Sequence, residues 1–341
     1  MTEHLRTDFE EYDLSRGPYS VSSRLLLLTV DFEAFTPEMM PLWQEAMHHW
    51  AARASESRLR FCFFLSVENA IRLRVASQRA YAEFLKAMKG LEDVASLIYP
   101  HNHYVFDRQT GEKKVLAEEP KDLPQDYPKR KSVFYDTVHR HRLDLAFWLT
   151  TVRESYEEVL AAADCRRPKV PVFRAGGWDY GGSCRDVRQY IDAVVAAGFR
   201  ADSSACRGAF GTPTWRIGSH FGSNVFWLDK GLLEIAPTWS MDISVSPLSL
   251  ACARSLLSLR RQSKLWMGHR GVFVVVLHFD HLFRRWSRGS LQNSPLRDVG
   301  TLRKRIDRLF RSVALLRSIL CLHCATFEDI EVGRSEARVS T

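Results

Sequence analysis

The sequence is short of several things, and each shortage removes a class of protein. No apolar run approaches the ~20 residues that a membrane-spanning helix needs; the first, Leu25 to Val30, is far too short. There is no Pro-, Gly- or Ser-rich linker and no internal repeat, so solenoids and beads-on-a-string arrangements are set aside. One domain over residues 1–341, with its core at about 24–332, is the simpler reading. The cysteines number 7, an odd count, scattered through 341 residues that are long enough to bury a core without staples. Cys321-Leu322-His323-Cys324 has no second CxxC after it, and residues three apart on a strand point to opposite faces, so a zinc or redox knuckle is not expected. The glycine-rich stretch from Arg174 to Gly182 lacks the spacing of a nucleotide cradle. The first residues, MTEHLRTDFEEYDLSRG, are acidic and polar, unlike a secretory leader. With the cysteine usage, this sets the expectation of a reducing, cytoplasmic setting.

What is present is ordinary globular material, 45% hydrophobic and 26% charged, with a formal net charge of +8. That charge suits an anionic partner, such as a nucleotide- or lipid-linked sugar, an acidic glycan, a nucleic acid or a membrane surface. The basic run Arg303-Lys304-Arg305, continued by Arg308 and Arg311, falls on the polar side of an amphipathic helix and reads as a solvated face. No recognisable nucleic-acid module accompanies it, so nucleic acid is not the expected partner. His139 and His141, two apart before a helix, read as surface residues.

The order of elements follows from periodicity. RLLLLTVD (24–31) and LRFCFFLS (59–66) are continuous apolar runs, the pattern of strands buried on both faces. Tyr81, Phe84, Leu85 and Met88 repeat at helical spacing, with Gly90 as a stop, before a third strand at 93–100. Residues 104–131 are polar and carry several prolines and lysines, a long excursion of the kind that covers a site. Leu145, Leu149, Val152, Tyr156 and Val159 mark a long helix, and VPVFR (170–174) a strand. A helix follows through Val187, Ile191, Val194 and Val195, closed by Gly198. Short strands come next in FRADSS and LLEIAP (232–237), and the strongest in GVFVVVLHFD (271–280). Leu302, Ile306, Leu309, Val313 and Leu316 mark a last helix before a closing strand at 324–332. Strands alternating with helices imply a mainly parallel α/β sheet. An irregular (β/α) barrel of about seven parallel strands is the reading taken over a doubly wound open sheet.

Chemistry-bearing residues collect at the ends of these strands. Asp31 and Glu33 close the first, His101 and His103 follow the third, and Arg174 ends the fourth. Asp202 ends the fifth, Glu234 lies in the sixth, and His278, Asp280 and His281 close the seventh. Strand carboxyl ends form the active face of barrels and open α/β sheets. Residues two apart on a strand point the same way, so Asp31 can converge with Glu33 and His101 with His103. Two imidazoles with one or two carboxylates suit zinc or another divalent ion and leave a position open for water. Singly, each residue has a plainer reading: Asp31 as a cap, Glu33 as a rim charge, Arg174 in a structural ion pair, His278 as a core histidine. Their joint occurrence at successive strand ends points to metal-assisted hydrolysis.

At these residues the sequence resembles the polysaccharide deacetylase superfamily (NodB homology, carbohydrate esterase family 4), in order over about residues 24–330. Leu28-Thr29-Val30-Asp31-Phe32-Glu33 resembles its first motif, usually T-F-D-D-G, and Pro100-His101-Asn102-His103-Tyr104 its histidine motif. Phe173-Arg174-Ala175-Gly176-Gly177-Trp178 resembles the arginine motif, and Ala201-Asp202-Ser203-Ser204 the D-S motif. Leu233-Glu234-Ile235-Ala236-Pro237 and Val276-Leu277-His278 resemble the last strands. The nearest branch by this resemblance is the bacterial one associated with lipopolysaccharide and surface-polysaccharide biosynthesis. The resemblance implies Asp31 as catalytic base, Arg174 holding it, His278 as general acid, and His101 and His103 as ligands of a metal that is commonly zinc. Trp178, Asp202, Glu234 and Asp280 are the candidate substrate contacts. The implied reaction removes an N- or O-acetyl group from a free, nucleotide-linked or lipid-linked sugar. The family's second aspartate is Phe32 here, so a carboxylate ligand must come from Glu33 or Asp31. That departure frames the alternative, a carbohydrate-binding relative without catalysis.

Overall fold

A computed structural model describes residues 10–11, 24–33, 35–94, 96–114, 144–176, 187–204, 225–227, 231–235, 237, 239–241, 272–287, 290–295 and 298–330. Trp178, His139, His141 and most of the 104–131 excursion lie outside them. The chain opens with β1 (Glu10–Glu11), β2 (Arg24–Phe32), α1 (Met40–Ser57), β3 (Cys62–Ser66), α2 (Val67–Ala76) and α3 (Gln78–Asp93). It continues through β4 (Leu97–Asn102), α4 (Leu145–Ala162), β5 (Val172–Ala175), α5 (Val187–Ala196), β6 (Ala201–Asp202), β7 (Val225–Trp227), β8 (Leu233–Ile235) and β9 (Trp239–Met241). It closes with β10 (Val272–His278), the hairpin β11 (Arg284–Ser287) and β12 (Ser290–Pro295), α6 (Val299–Leu320) and β13 (Leu322–Ala325).

The sheet order is β9-β10-β2-β3-β4-β5-β6-β8, every neighbouring pair parallel. At one edge β7 and then β1 add antiparallel, and β13 lies parallel to the first half of β2. β2 is central, which accounts for its unbroken apolar run: both of its faces and both of its edges are covered. The sheet curls as a half-barrel. One ion pair reports the curvature. Arg174 on β5 reaches Asp31 on β2 at 2.8 Å although β3 and β4 lie between them. Three strand spacings on a flat sheet come to about 14 Å, farther than an arginine side chain spans.

Alternation sorts the strand residues onto two faces. Leu26, Leu28, Val30 and Phe32 of β2, with Phe63, Leu65 and Val275, pack outward under the helices. Leu25 and Leu27, with Phe64, Leu97, Tyr99, Val172, Ala201, Leu233, Val272 and Val274, fill the concave side. The outer helices earn their places by apolar stripes. Met40, Trp43, Ala46, Met47, Trp50 and Ala54 are the buried side of α1. Ser77 caps α3, Asp144 caps α4 and Asp298 caps α6, each accepting a first-turn amide.

Several expectations shift at their edges. Gly90 does not stop α3, which runs on to Asp93; a side chain there would meet nothing within 4 Å, so the outward-facing glycine costs only its intrinsic flexibility. Gly198 does close its helix, at φ +83. The closing strand begins at Leu322 and ends at Ala325, followed by a turn. His101 is inside β4 rather than after it. Of the excursion, Phe106 bridges to Lys113, and the turn between them sets Gly111, at φ +72, against the backbone of Glu68 and Arg72 in α2.

Candidate metal centre

The concave side changes character along the strands. Its lower part is apolar, and the same alternating positions, continued towards the carboxyl ends, are Thr29, Asp31 and Glu33 on β2 and just beyond, His101 on β4 and His103 just past it, Arg174 on β5 and His278 on β10. The parallel register sets His278 beside Asp31 and His101 beside Arg174. Residues more than a hundred apart in sequence therefore meet at one level of the sheet.

Arg174 is wholly buried and fully engaged. Its Nη1 donates to Asp31 Oδ1 at 2.8 Å, its Nη2 to Thr29 Oγ1 and Ser203 Oγ at 3.0 Å each, and its Nε to the Ser203 carbonyl at 3.1 Å. Both hydroxyls send their own protons elsewhere, Thr29 to the Val275 carbonyl and Ser203 to that of Ile235, so their lone pairs face the guanidinium. The guanidinium lies over the Phe64 ring at 3.8 Å. Burial pushes the Asp31 carboxyl up; Arg174, His101 and His278 outweigh it and hold the group below the usual carboxylate range. Its second oxygen faces His278 Nε2 at 3.6 Å.

Glu33, His101 and His103 form the ligand cluster: one donor atom from each lies within 4.8 Å of the others. His101 Nδ1 stands 3.0 Å from the Arg174 carbonyl. A carbonyl only accepts, so Nδ1 carries the hydrogen and Nε2 presents a lone pair, the tautomer that a metal requires. His101 Nε2 and His103 Nε2 are 3.1 Å apart; two nitrogens on one tetrahedral zinc sit about 3.3 Å apart. Glu33 Oε2 is 2.5 Å from His103 Nε2. Burial pushes His101 down to about 4, so that ring is neutral. Burial also opposes charge on His103, but the charge and hydrogen bond of Glu33, with Glu68 and Asp31 nearby, bring it up to about 9. Burial would raise Glu33, and the His103 charge and hydrogen bond overturn that and hold it far below the ordinary value. A proton on His103 thus sits where a cation would, among three atoms that all suit a divalent ion. The donor set fits the group.

Of the two carboxylates, Glu33 points into the cluster while Asp31 is paired with Arg174. Phe32 points the other way. Its ring is 1% exposed and packs on Phe35, Trp43, Phe63, Phe84 and Phe279.

Asp202 and Glu234, candidate substrate contacts from the strand-end pattern, do not join the cluster in this structure. Ala201 and Leu233 face the concave side, so alternation turns Asp202 and Glu234 outward, where both are 0% exposed. They are cross-strand neighbours and hydrogen-bond each other, with Tyr190 of α5 and Ser204 as further partners of Asp202. Asp280 is buried in the 3-10 turn Phe279–Phe283 after β10. His281 of that turn stacks on His278, ring centroids 4.8 Å apart. The residue that the sequence reading passed over is Glu68. It stands two positions past the end of β3, is fully buried, and accepts the His103 amide through Oε1 at 3.0 Å. Burial pushes its carboxyl up, against the pull of His103. A strand-end rule extended by one turn would have found it.

Fold and site together define a parallel α/β half-barrel protein with a partly exposed two-histidine, one-glutamate cluster beside an arginine-held aspartate. No family model matches the sequence, and no curated protein matches it. Solved structures do. A putative polysaccharide deacetylase from Mycobacterium smegmatis aligns at 14% identity and TM-score 0.41, covering 94% of this chain and 98% of that one. A peptidoglycan N-acetylglucosamine deacetylase aligns at 12% identity and TM-score 0.37, covering 92% and 90%. A CE4 family pseudoenzyme from Bacillus anthracis aligns at 12% identity and TM-score 0.34, covering 93% and 68%. These superpositions are too loose to carry any residue's role across. Among the described residues no helix is long and apolar enough to cross a membrane.

Proposed function

We propose that the chain is a divalent-metal-dependent hydrolase that removes an acetyl group from a saccharide, in a single catalytic domain serving surface-polysaccharide metabolism in the cytoplasm. The observation that carries this reading is the meeting of Glu33, His101 and His103 beside the Arg174–Asp31 pair and His278 on one concave face. The saccharide is supported by the ordered motifs from Asp31 to His278, and a nucleotide- or lipid-linked form by the net charge of +8. Zinc heads the candidates, and the ligand set also suits manganese, iron, cobalt and nickel.

When bound, the cation supplies positive charge that polarises the acetyl carbonyl and makes a nearby water more acidic. Asp31 has one oxygen occupied by Arg174, so its other, Oδ2, is the one available to orient the attacking water and take its proton. His278, partly exposed and 3.6 Å from that oxygen, is placed to pass a proton from Nε2 to the departing sugar nitrogen or oxygen. Water adds to the carbonyl carbon, the C–N or C–O bond breaks, and acetate and the free amine or hydroxyl leave. Arg174 keeps Asp31 ionised before the attack and aimed throughout.

The carbohydrate-binding alternative drew on Phe32, and that ring belongs to the outer core while Glu33 offers the carboxylate. Two measurements test the proposal. Elemental analysis of protein purified without chelators should find near-stoichiometric metal in the wild type and loss in His101→Ala/His103→Ala. Acetylated sugars should release acetate only with metal present. Metal without acetate release from any sugar class leaves a binding protein; a metal-free wild type sinks the site altogether.

A further inference from the structure

We propose that Glu68 is the positioning residue of this centre: it holds the backbone at His103 so that two histidines only two apart can serve one ion. The inference rests on the metal reading above and adds to it a residue that no motif marks.

Residues two apart on a regular strand are separated by about 6.6 Å along the chain. The Nε2 atoms of His101 and His103 nevertheless stand 3.1 Å apart. Side chains on one face can close that gap by leaning together, but only if the second backbone position is held, and here it lies outside the ladder: β4 ends at Asn102. Its last ladder partners are Ser66 on one side, opposite His101, and Arg174 and Ala175 on the other. Beyond Ser66 the neighbouring chain turns into α2, which leaves no strand to receive the His103 amide. Glu68, in the first turn of that helix, takes the place of the missing strand, its Oε1 accepting the amide at 3.0 Å.

The ordinary reason for an acid in a helix's first turn is the helix dipole, which a solvated carboxylate serves as well. Glu68 is instead 0% exposed and forms no ion pair with a lysine or arginine among the described residues; apart from the His103 amide, its carboxylate meets only its own amide and the Ser66 hydroxyl, groups of its own turn that a shorter polar side chain could serve. Burying a carboxylate on those terms is costly, and its hydrogen bond to His103 is the contact that explains its place. Gly176 confines the ring from the other side: a Cβ at that position would lie 2.6 Å from His103 Nδ1. The His103 backbone is held by Glu68, and Gly176 closes off one side of its imidazole.

Cobalt(II) is the probe, because its visible absorption reports ligand geometry as well as occupancy. Glu68→Gln keeps an oxygen able to accept the amide; Glu68→Met keeps the bulk and removes the acceptor. The Gln variant should bind cobalt within about threefold of wild type with an unchanged spectrum, and the Met variant about 10- to 100-fold more weakly with a shifted one. Thermal melts of the apo proteins establish that both are folded. Wild-type affinity and spectrum in Glu68→Met overturn the proposal. A tenfold loss in Glu68→Gln overturns it too, by making charge rather than the hydrogen bond responsible, and this decides the matter even if the Met variant does not fold. A wild type that binds no cobalt removes the metal centre itself, and this role with it.

Discussion

Arg174 on β5 and Asp31 on β2 are joined at 2.8 Å across the hollow of the sheet, over the face of Phe64. The pair ties together two strands that do not touch, and it sits under the ligand cluster, with His101 bonded to the same arginine's backbone carbonyl. Fold and candidate site therefore share one residue. Removing the guanidinium leaves a buried carboxylate with only histidines for company, the situation in which breaking a buried pair costs about 3–5 kcal/mol. Arg174→Met is expected to lose stability of that order in urea unfolding. Arg174→Lys should recover little of it, since one ammonium cannot reach Asp31, Thr29 and Ser203 as the planar fork does.

Phe32 invites a misleading experiment. Replacing it by aspartate restores the motif of the resembled family on paper. In this fold the side chain enters an aromatic cluster with ring centroids 5.0–5.8 Å away, on the face opposite the site. Phe32→Asp should bring no second ligand and should lower stability by more than about 4 kcal/mol through a lost ring and a buried charge. The urea midpoint and the bound-metal stoichiometry check both halves; a stable variant with tighter metal binding would show that β2 can turn over.

Much of this architecture was readable because buried parallel strands announce themselves. Thr29 aside, β2 and β10 are apolar up to their ends, and the polar residues that end them are the ones that meet. The i, i+2 convergence of His101 with His103 was readable for the same reason. Three things were not. The stripe of α1 is mostly alanine and methionine around His48 and His49, and its helix is secured by packing on α3 and α6 that no local pattern encodes. Glu68 acquires a role only through the β3–β4 register, which places Ser66 opposite His101. Asp202 and Glu234 end up outward because Ala201 and Leu233 point inward, a parity that a two- or three-residue strand is too short to reveal.

That outward pair makes a pH prediction. Two fully buried carboxyls that hydrogen-bond each other must share a proton, and burial accordingly pushes Asp202 up to about 6 from 3.8. A carboxyl raised on folding binds more protons in the native state than in the unfolded one across that interval. Its stabilising contribution is fully present below the unfolded value and is lost as pH rises through the folded one. Between pH 4 and pH 7 this site alone makes the wild type less stable as pH rises. In Asp202→Asn an amide hydrogen takes the place of the shared proton, so that component should vanish. The melting temperatures of the two proteins should converge or cross as pH increases, the variant gaining on wild type by about 1 kcal/mol or more. Parallel melting profiles across this range would mean that the pair holds no such proton.

Gly176 tests how tightly the centre is built. A methyl group there would stand 2.5 Å from the Asn102 carbonyl oxygen and 2.6 Å from His103 Nδ1. The first neighbour is backbone and cannot swing aside; the second is a proposed ligand. The strain of Gly176→Ala should therefore go into the ring of His103, or into the end of β4 that carries it, more than into the distant core. The expected result is a fold that melts within a few degrees of wild type, a loss of about 1–3 kcal/mol at most as for other overpacked sites, together with metal binding weakened at least about tenfold, the scale on which displaced supports cost a metal site. Metal affinity and melting temperature measured on the same preparation separate the outcomes. If stability collapses while affinity holds, the close approach serves the β4–β5 junction; if affinity falls with the fold intact, the missing side chain belongs to the centre, and glycine is there because His103 needs its space.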